Sequence, residues 1–267
     1  MGIAIETVNL PGCSMDFFRF GSGERTFVIL PGLSVQSVMG AAEAIAAEYR
    51  HLTEDYTVYV FDRRKELPPV YTVADMARDT AAALQALGLT DVYLFGASQG
   101  GMMGLQLALD YPALIKKMVL GSTTSHLLPE HFKILEKWVG LARQKDREGL
   151  YLAFGEALYP PQVFAEYKAT LLQAAATVTE EELSRFIIMA ECTRDFNVTE
   201  RLPEIKCPVL AIGVFEDAVL DADATMEIAE KLDFRPDFRL YMYVGHGHAA
   251  YDTAPDYRQR ILEFFAG

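Results

Sequence analysis

Gly96-Ala97-Ser98-Gln99-Gly100-Gly101 lies between a strand-like run, Val92-Tyr93-Leu94-Phe95, and a helix-like one, Met102 to Asp110. A glycine-x-serine-x-glycine turn between strand and helix forces the central serine into a strained backbone conformation, and its small neighbours let the chain fold back tightly. The Ser98 hydroxyl then stands exposed at a helix N-terminus, where the Gln99 N–H and the helix dipole stabilise developing negative charge. Those are the requirements of acyl transfer. A serine hydroxyl is a weak nucleophile, however, until a base takes its proton, so a histidine and an orienting carboxylate must be found.

The chain has five histidines. His51 follows a helix pattern, and His126 and His131 open a long interval without β pattern, so all three read as surface or core residues. His246 and His248 follow the last strand, where an open parallel sheet presents its catalytic loops. Only two residues apart, they point in opposite directions if the chain is extended, so only one can meet Ser98. His246, nearer the strand end, suits a bracing role, while Gly247 gives the backbone before His248 freedom to turn. The carboxylate belongs on another strand end between serine and histidine. The buried-looking strand Pro208 to Gly213 leads to Asp217, with Glu216, Asp221 and Asp223 as competitors, whereas Leu120-Gly121-Ser122-Thr123 offers no acid. A second N–H for the oxyanion can come from Leu30-Pro31-Gly32-Leu33-Ser34, with the Leu33 N–H facing that of Gln99.

These residues need a scaffold that brings strand ends together. Strand patterns occur near residues 3–8, 15–21, 26–30, 57–61, 92–96, 117–121, 208–213 and 238–244, alternating with helix patterns, which is the signature of a parallel sheet with crossover helices. The first two lie too close for a crossover and predict an antiparallel edge hairpin. Thr72 to Asp75 reads as a capping box for a helix that Gly88 ends, and Thr253 to Asp256 as another before the last helix. The interval 123–203 breaks the rhythm and predicts a helical insertion, rich in apolar side chains such as Leu127, Phe132, Leu135, Trp138, Tyr151 and Phe154, with Tyr159, Phe164, Tyr167 and Leu171 beyond. Pro160-Pro161 punctuates it, and there are no internal repeats.

With 267 residues, 51% of them hydrophobic, the chain can bury one large core. Its formal net charge of −13 repels phosphate backbones and anionic bilayers, so neither nucleic acid nor membrane is expected as a partner; a small-molecule acyl substrate is, and a homodimer is compatible. Cys13, Cys192 and Cys207 are widely spaced, without CxxC or zinc-ligand spacing, which suits a reducing cytoplasm. The first residues have no basic residue before Arg19 and no long apolar run, so no secretory signal or anchor is read there; Glu6 stands where a myristoylation motif wants Ser or Thr.

In this order the pieces resemble the α/β-hydrolase superfamily, in its branch with a helical cap between the sixth and seventh strands. VYLFGASQGGMMGLQLALDYP looks like the family's strand, nucleophile elbow and helix; CPVLAIGVFED looks like the strand leading to its catalytic acid; GHGHAAYDTAPDYRQRILEFF resembles its Gly-His ahead of an acidic-proline helix start. The resemblance implies Ser98 as nucleophile, Asp217 as acid and, because the family's proline follows the histidine by seven positions and here is Pro255, His248 as base. It implies an eight-stranded, mostly parallel sheet flanked by helices, with a core of residues 1–122 and 204–267 and a cap of 123–203. It also implies oxyanion donors at Leu33 and Gln99, a pocket touching Gly32, Met102, Trp138 and Phe154 that favours an uncharged, fairly apolar acyl group, and no metal or organic cofactor. Two departures stand out: Pro31 where the family often has His, and Asp62-Arg63-Arg64-Lys65 where it often has a Gly-rich stretch. Serine at the elbow argues against dehalogenase and epoxide hydrolase chemistry, which use aspartate there. The expected activity is ester hydrolysis; lactone, thioester or carbon–carbon bond hydrolysis use the same triad, and a slowly turning-over ligand sensor is the reading from another class.

Overall fold

A computed structural model of the chain describes residues 2–267. Eight strands build one sheet: β1 (Ile5–Leu10), β2 (Cys13–Phe20), β3 (Arg25–Leu30), β4 (Tyr56–Arg64), β5 (Val92–Ala97), β6 (Ile115–Gly121), β7 (Val209–Val214) and β8 (Phe238–Tyr243). Their spatial order is β1-β2-β4-β3-β5-β6-β7-β8. The hairpin β1–β2 lies at one edge, as the short spacing predicts, and β2 pairs antiparallel with β4 as well, while every later pairing is parallel.

The central strands are apolar on both sides because helices cover both faces. Val28, Leu30, Leu94, Met118 and Leu120 point to one face, packed with α2 (Val73–Ala86), α3 (Gln99–Asp110) and α8 (Asp221–Leu232). The alternate residues Phe27, Ile29, Phe95, Val119 and Ile212 point to the other, against α1 (Ala42–Glu48) and α10 (Tyr257–Ala266). Parallel register brings the active ends level: Leu30 pairs with Gly96, Ala97 with Gly121, Gly121 with Ile212, and Val214 with Tyr243. The loops after β3, β5, β7 and β8 therefore open on the same edge of the sheet.

Between β6 and β7 the chain forms four α-helices, a short 3-10 helix (Thr199–Glu204) and no strand of the sheet: α4 (Pro129–Arg143), α5 (Arg147–Leu158), α6 (Pro161–Thr177) and α7 (Glu180–Glu191). Pro161 starts α6, and a Thr179–Glu182 capping box starts α7. Trp138, Phe154 and Phe186 pack in sequence, the first pair tilted and the second edge-to-face, with centroids 4.5 and 6.2 Å apart, and join three of these helices.

The capping box at Thr72 forms, and Gly88 follows its helix at φ 68°. The one expected at Thr253 does not. Thr253 already closes a helical turn, α9 (Ala250–Thr253), with its hydroxyl turned to the carbonyls of His246 and Ala249. Asp256 instead accepts from the Tyr243 hydroxyl and pairs with Arg260.

Candidate active site

Ser98 sits between β5 and α3 at φ 53°, ψ −119°, a conformation that L-residues rarely adopt. It is held there from both sides: its N–H donates to Gly121 O at 2.8 Å, and the Thr123 hydroxyl donates to its carbonyl at 2.7 Å. The sharp turn lifts the Ser98 side chain off the strand end, toward the loop after β8.

From that loop, His248 Nε2 lies 3.0 Å from Ser98 Oγ. On its far side Nδ1 lies 2.9 and 2.8 Å from the two carboxylate oxygens of Asp217. An ionised carboxylate only accepts, so this contact keeps the proton on Nδ1 and leaves Nε2 free to accept from serine. Asp217 is fixed in turn by the N–H groups of Val219 and Leu220, 2.8 and 3.0 Å from Oδ1. Burial pushes the Asp217 carboxyl up, but the neighbouring His248 and these N–H donors outweigh it and hold it below its usual value. His248 is 1% exposed and Asp217 7%, so water does not compete for the contact.

The other candidates go elsewhere. His246, half-buried, lies 3.2 Å from the Thr253 hydroxyl and packs edge-on against Tyr243, while Gly247 between the two histidines takes φ 67°. Glu216 accepts from Gly245 N–H at 2.7 Å; Asp221 meets His131 at 2.9 Å; Asp223 lies in the first turn of α8. His126 pairs with Glu227 at 3.0 Å, and His51 stands on a short turn before β4.

Ser98 opens into a cavity of about 50 Å³ between the sheet edge and the inserted helices. Gly32, Leu33, Gln99, Met102, Trp138 and Phe154 all line it, as does His248. Among the described residues, no main-chain acceptor takes the N–H of Leu33 or of Gln99. Sequence reasoning missed Leu158, Thr193, Val219, Leu220 and Tyr251 as lining residues, and treated His131 as a bystander. Val219 and Leu220 carried a signal, since they lie two and three residues after Asp217; the others reach the cavity only through the folding of distant segments.

The inserted helices are fastened to the loops around Ser98. Gln99 Nε2 donates to Met189 O on α7 at 2.6 Å. Arg185, one turn earlier, donates to the carbonyls of Arg63, Arg64 and Lys65 at 3.1, 2.6 and 2.9 Å. Among the described residues no cluster of three His, Cys, Asp or Glu side chains is arranged to hold a metal ion, and no helix is long and apolar enough to cross a membrane.

Residues 26–173 match the family model described as the alpha/beta hydrolase fold. The chain belongs to the α/β-hydrolase family. This α/β-hydrolase is 27% identical over 254 residues to RutD of Caulobacter vibrioides, a provisional carbamate hydrolase by its name, with 92% of each chain covered. Among solved structures it superposes on MGS-M2, an alpha/beta hydrolase enzyme from a Medee basin deep-sea metagenome library, with TM-score 0.87 at 22% identity over 99% of this chain and 98% of that one. It also superposes on the enol-lactonase of Burkholderia xenovorans LB400, with TM-score 0.82 at 16% identity over 98% and 100%. These two likenesses concern the fold. The protein is thus a hydrolase of this family.

Proposed function

We propose that this hydrolase cleaves a carboxylic ester, or a chemically similar acyl bond, of a small and fairly apolar substrate through Ser98, His248 and Asp217. The observation that carries the reading is the unbroken hydrogen-bonded chain from Asp217 through His248 to Ser98, buried at the mouth of a cavity. Ser98 Oγ bonds to the substrate carbonyl carbon as its proton passes to His248 Nε2, and Asp217 stabilises the resulting imidazolium. The Leu33 and Gln99 N–H groups receive the oxyanion. Collapse expels the alcohol, which takes the proton from His248; water, deprotonated by the same imidazole, then attacks the acyl-enzyme and releases the acid.

Residues 123–203 act in this proposal as a cap that closes over the acyl group. The small cavity onto which Ser98 opens is lined by Met102, Trp138 and Phe154, which suits a small, fairly apolar acyl group. No residue of the reaction as proposed requires a metal or cofactor. The three free thiols are consistent with a cytoplasmic home.

A panel of aryl esters from acetyl to octanoyl, run beside a lactone, a thioester and a carbamate, tests the reading; the carbamate is included because of the name RutD carries. Short esters should turn over many times per enzyme, and a fluorophosphonate should label Ser98 alone. Label on another serine, or one stoichiometric event without further turnover, would sink the proposal, the latter in favour of a ligand sensor.

A further inference from the structure

Arg63 ends up in an unusual place for a residue from a charged run. The residue is 3% exposed, and its Nη2 donates to Pro31 O at 2.7 Å, to Gly32 O at 3.3 Å and to Gln99 Oε1 at 2.9 Å. Its Nε is buried with no partner. Among the described residues no Asp or Glu forms a salt bridge with it; the adjacent Asp62 carboxylate is engaged with Ser37 and Arg185. Burying a cation whose direct partners are neutral dipoles is costly even with the Asp62 charge nearby, and a guanidinium cannot escape by losing its proton.

Its acceptors surround the proposed oxyanion hole: Pro31 O belongs to the peptide before the one that carries the Leu33 N–H, Gly32 O belongs to that peptide itself, and Gln99 Oε1 is the side chain of the other proposed donor. Gly32 C=O and Leu33 N–H are the two ends of one planar trans peptide, so they point in opposite directions. A guanidinium holding the carbonyl end therefore turns the N–H end away from itself, and Leu33 lines the cavity onto which Ser98 opens. The third acceptor is the side chain of Gln99, whose main-chain N–H is the other proposed donor. A positive charge behind the Gly32–Leu33 peptide dipole also strengthens its N–H end toward an anion.

We propose that Arg63 is the positioning residue of the oxyanion hole, fixing the Gly32–Leu33 peptide and Gln99 so that both N–H groups converge on the tetrahedral intermediate without Arg63 touching substrate. The inference rests on the acyl-transfer reading above. It accounts for the Asp62-Arg63-Arg64-Lys65 departure: where relatives often place a Gly-rich stretch, this chain uses an arginine side chain to support the loop after β3.

The test compares Arg63→Met, which keeps volume and removes charge, with Arg63→Lys, which keeps charge and loses the fork geometry. Each is measured for kcat and KM on the best ester, and for binding of two inhibitors built on its acyl group: a trifluoromethyl ketone, which adds Ser98 to form an oxyanion, and a non-reactive amide. Arg63→Met should lose about a hundredfold in kcat, on the scale of removing one oxyanion donor, with KM changed only slightly. Ketone affinity should fall in parallel with kcat/KM and amide affinity should hold, because only the former resembles the transition state. Should Arg63→Met fail to fold, Arg63→Lys carries the test, with an expected loss of at least about tenfold on the same criteria. Wild-type kcat in the folded variant, or equal weakening of ketone and amide, overturns the proposal. A wild-type protein that neither turns over nor labels at Ser98 overturns the acyl-transfer reading and this inference together; an active, labelled wild type beside an equally active variant overturns this inference alone.

Discussion

Gly100 packs so closely on the end of β3 that a β-carbon at this position would stand 1.9 Å from the carbonyl oxygen of Leu30. The first turn of α3 thus rests on the strand that leads into the Pro31–Leu33 loop, and the two halves of the proposed oxyanion hole are set by contact between backbones. Gly100→Ala must push them apart. We expect a stability loss of about 1–3 kcal/mol, as for overpacking elsewhere, and a kcat loss exceeding what the lower stability explains. Thermal unfolding and ester kinetics on the same preparation check both; an alanine variant with wild-type melting and turnover would show that the contact relaxes without consequence.

The strained conformation of Ser98 predicts a split between two inactive variants. Both Ser98→Ala and Ser98→Gly should lose activity by up to about a million-fold, the scale for a serine nucleophile. Glycine tolerates φ 53° and alanine does not, so Ser98→Gly should be the more stable by roughly 1 kcal/mol. Denaturant titration of the two proteins decides it, and equal midpoints would mean that the elbow stores no strain.

The loop after β8 predicts unequal histidines. His248→Ala should approach the loss of Ser98→Ala, because the nucleophile keeps no base within reach. His246→Ala removes a contact to Thr253 and packing on Tyr243 and should cost less than about tenfold. The opposite ranking, in folded variants on one ester, would transfer the role of base to His246.

Asp217 predicts an acid limit on stability. Its carboxyl is held below its usual value in the folded protein, so the folded state binds that proton less readily than the unfolded chain. The stabilisation is complete above the ordinary carboxylate range, around pH 4, and is lost as pH falls through the depressed folded value. Asp217→Asn should flatten the fall of unfolding free energy below about pH 4 while reducing kcat by roughly ten-thousandfold. Parallel stability curves for the two proteins would remove Asp217 from the acid response.

The sheet was readable because strands buried on both faces appear as short apolar runs whose ends hydrogen bonding cannot shift far; Val209–Val214 is an example. Ser98 was readable because its turn restricts residue type on both sides. What remained hidden depends on neighbours in space. The spacing of β1 and β2 predicted their hairpin, but not that β2 would continue antiparallel onto β4. Asp256 fits a capping box by spacing, and a Tyr243 side chain from β8 takes it away. Arg63 lies in a run of charges that looks solvated, and only the closing of the Pro31–Leu33 loop and Gln99 around it produces its burial.

The grip of α7 on the loops around Ser98 bears on how this hydrolase could change its diet. Arg185 binds three successive carbonyls at the end of β4, and Met189 O holds the side chain of Gln99, which follows Ser98. A substituted block of helices without an arginine at the position of Arg185 would lose three of those bonds and loosen the loops it was meant to cover. New specificity in this lineage is therefore more readily reached by single substitutions on the inner surface of α4 and α5, where Trp138 and Phe154 meet the cavity, than by exchange of the whole block.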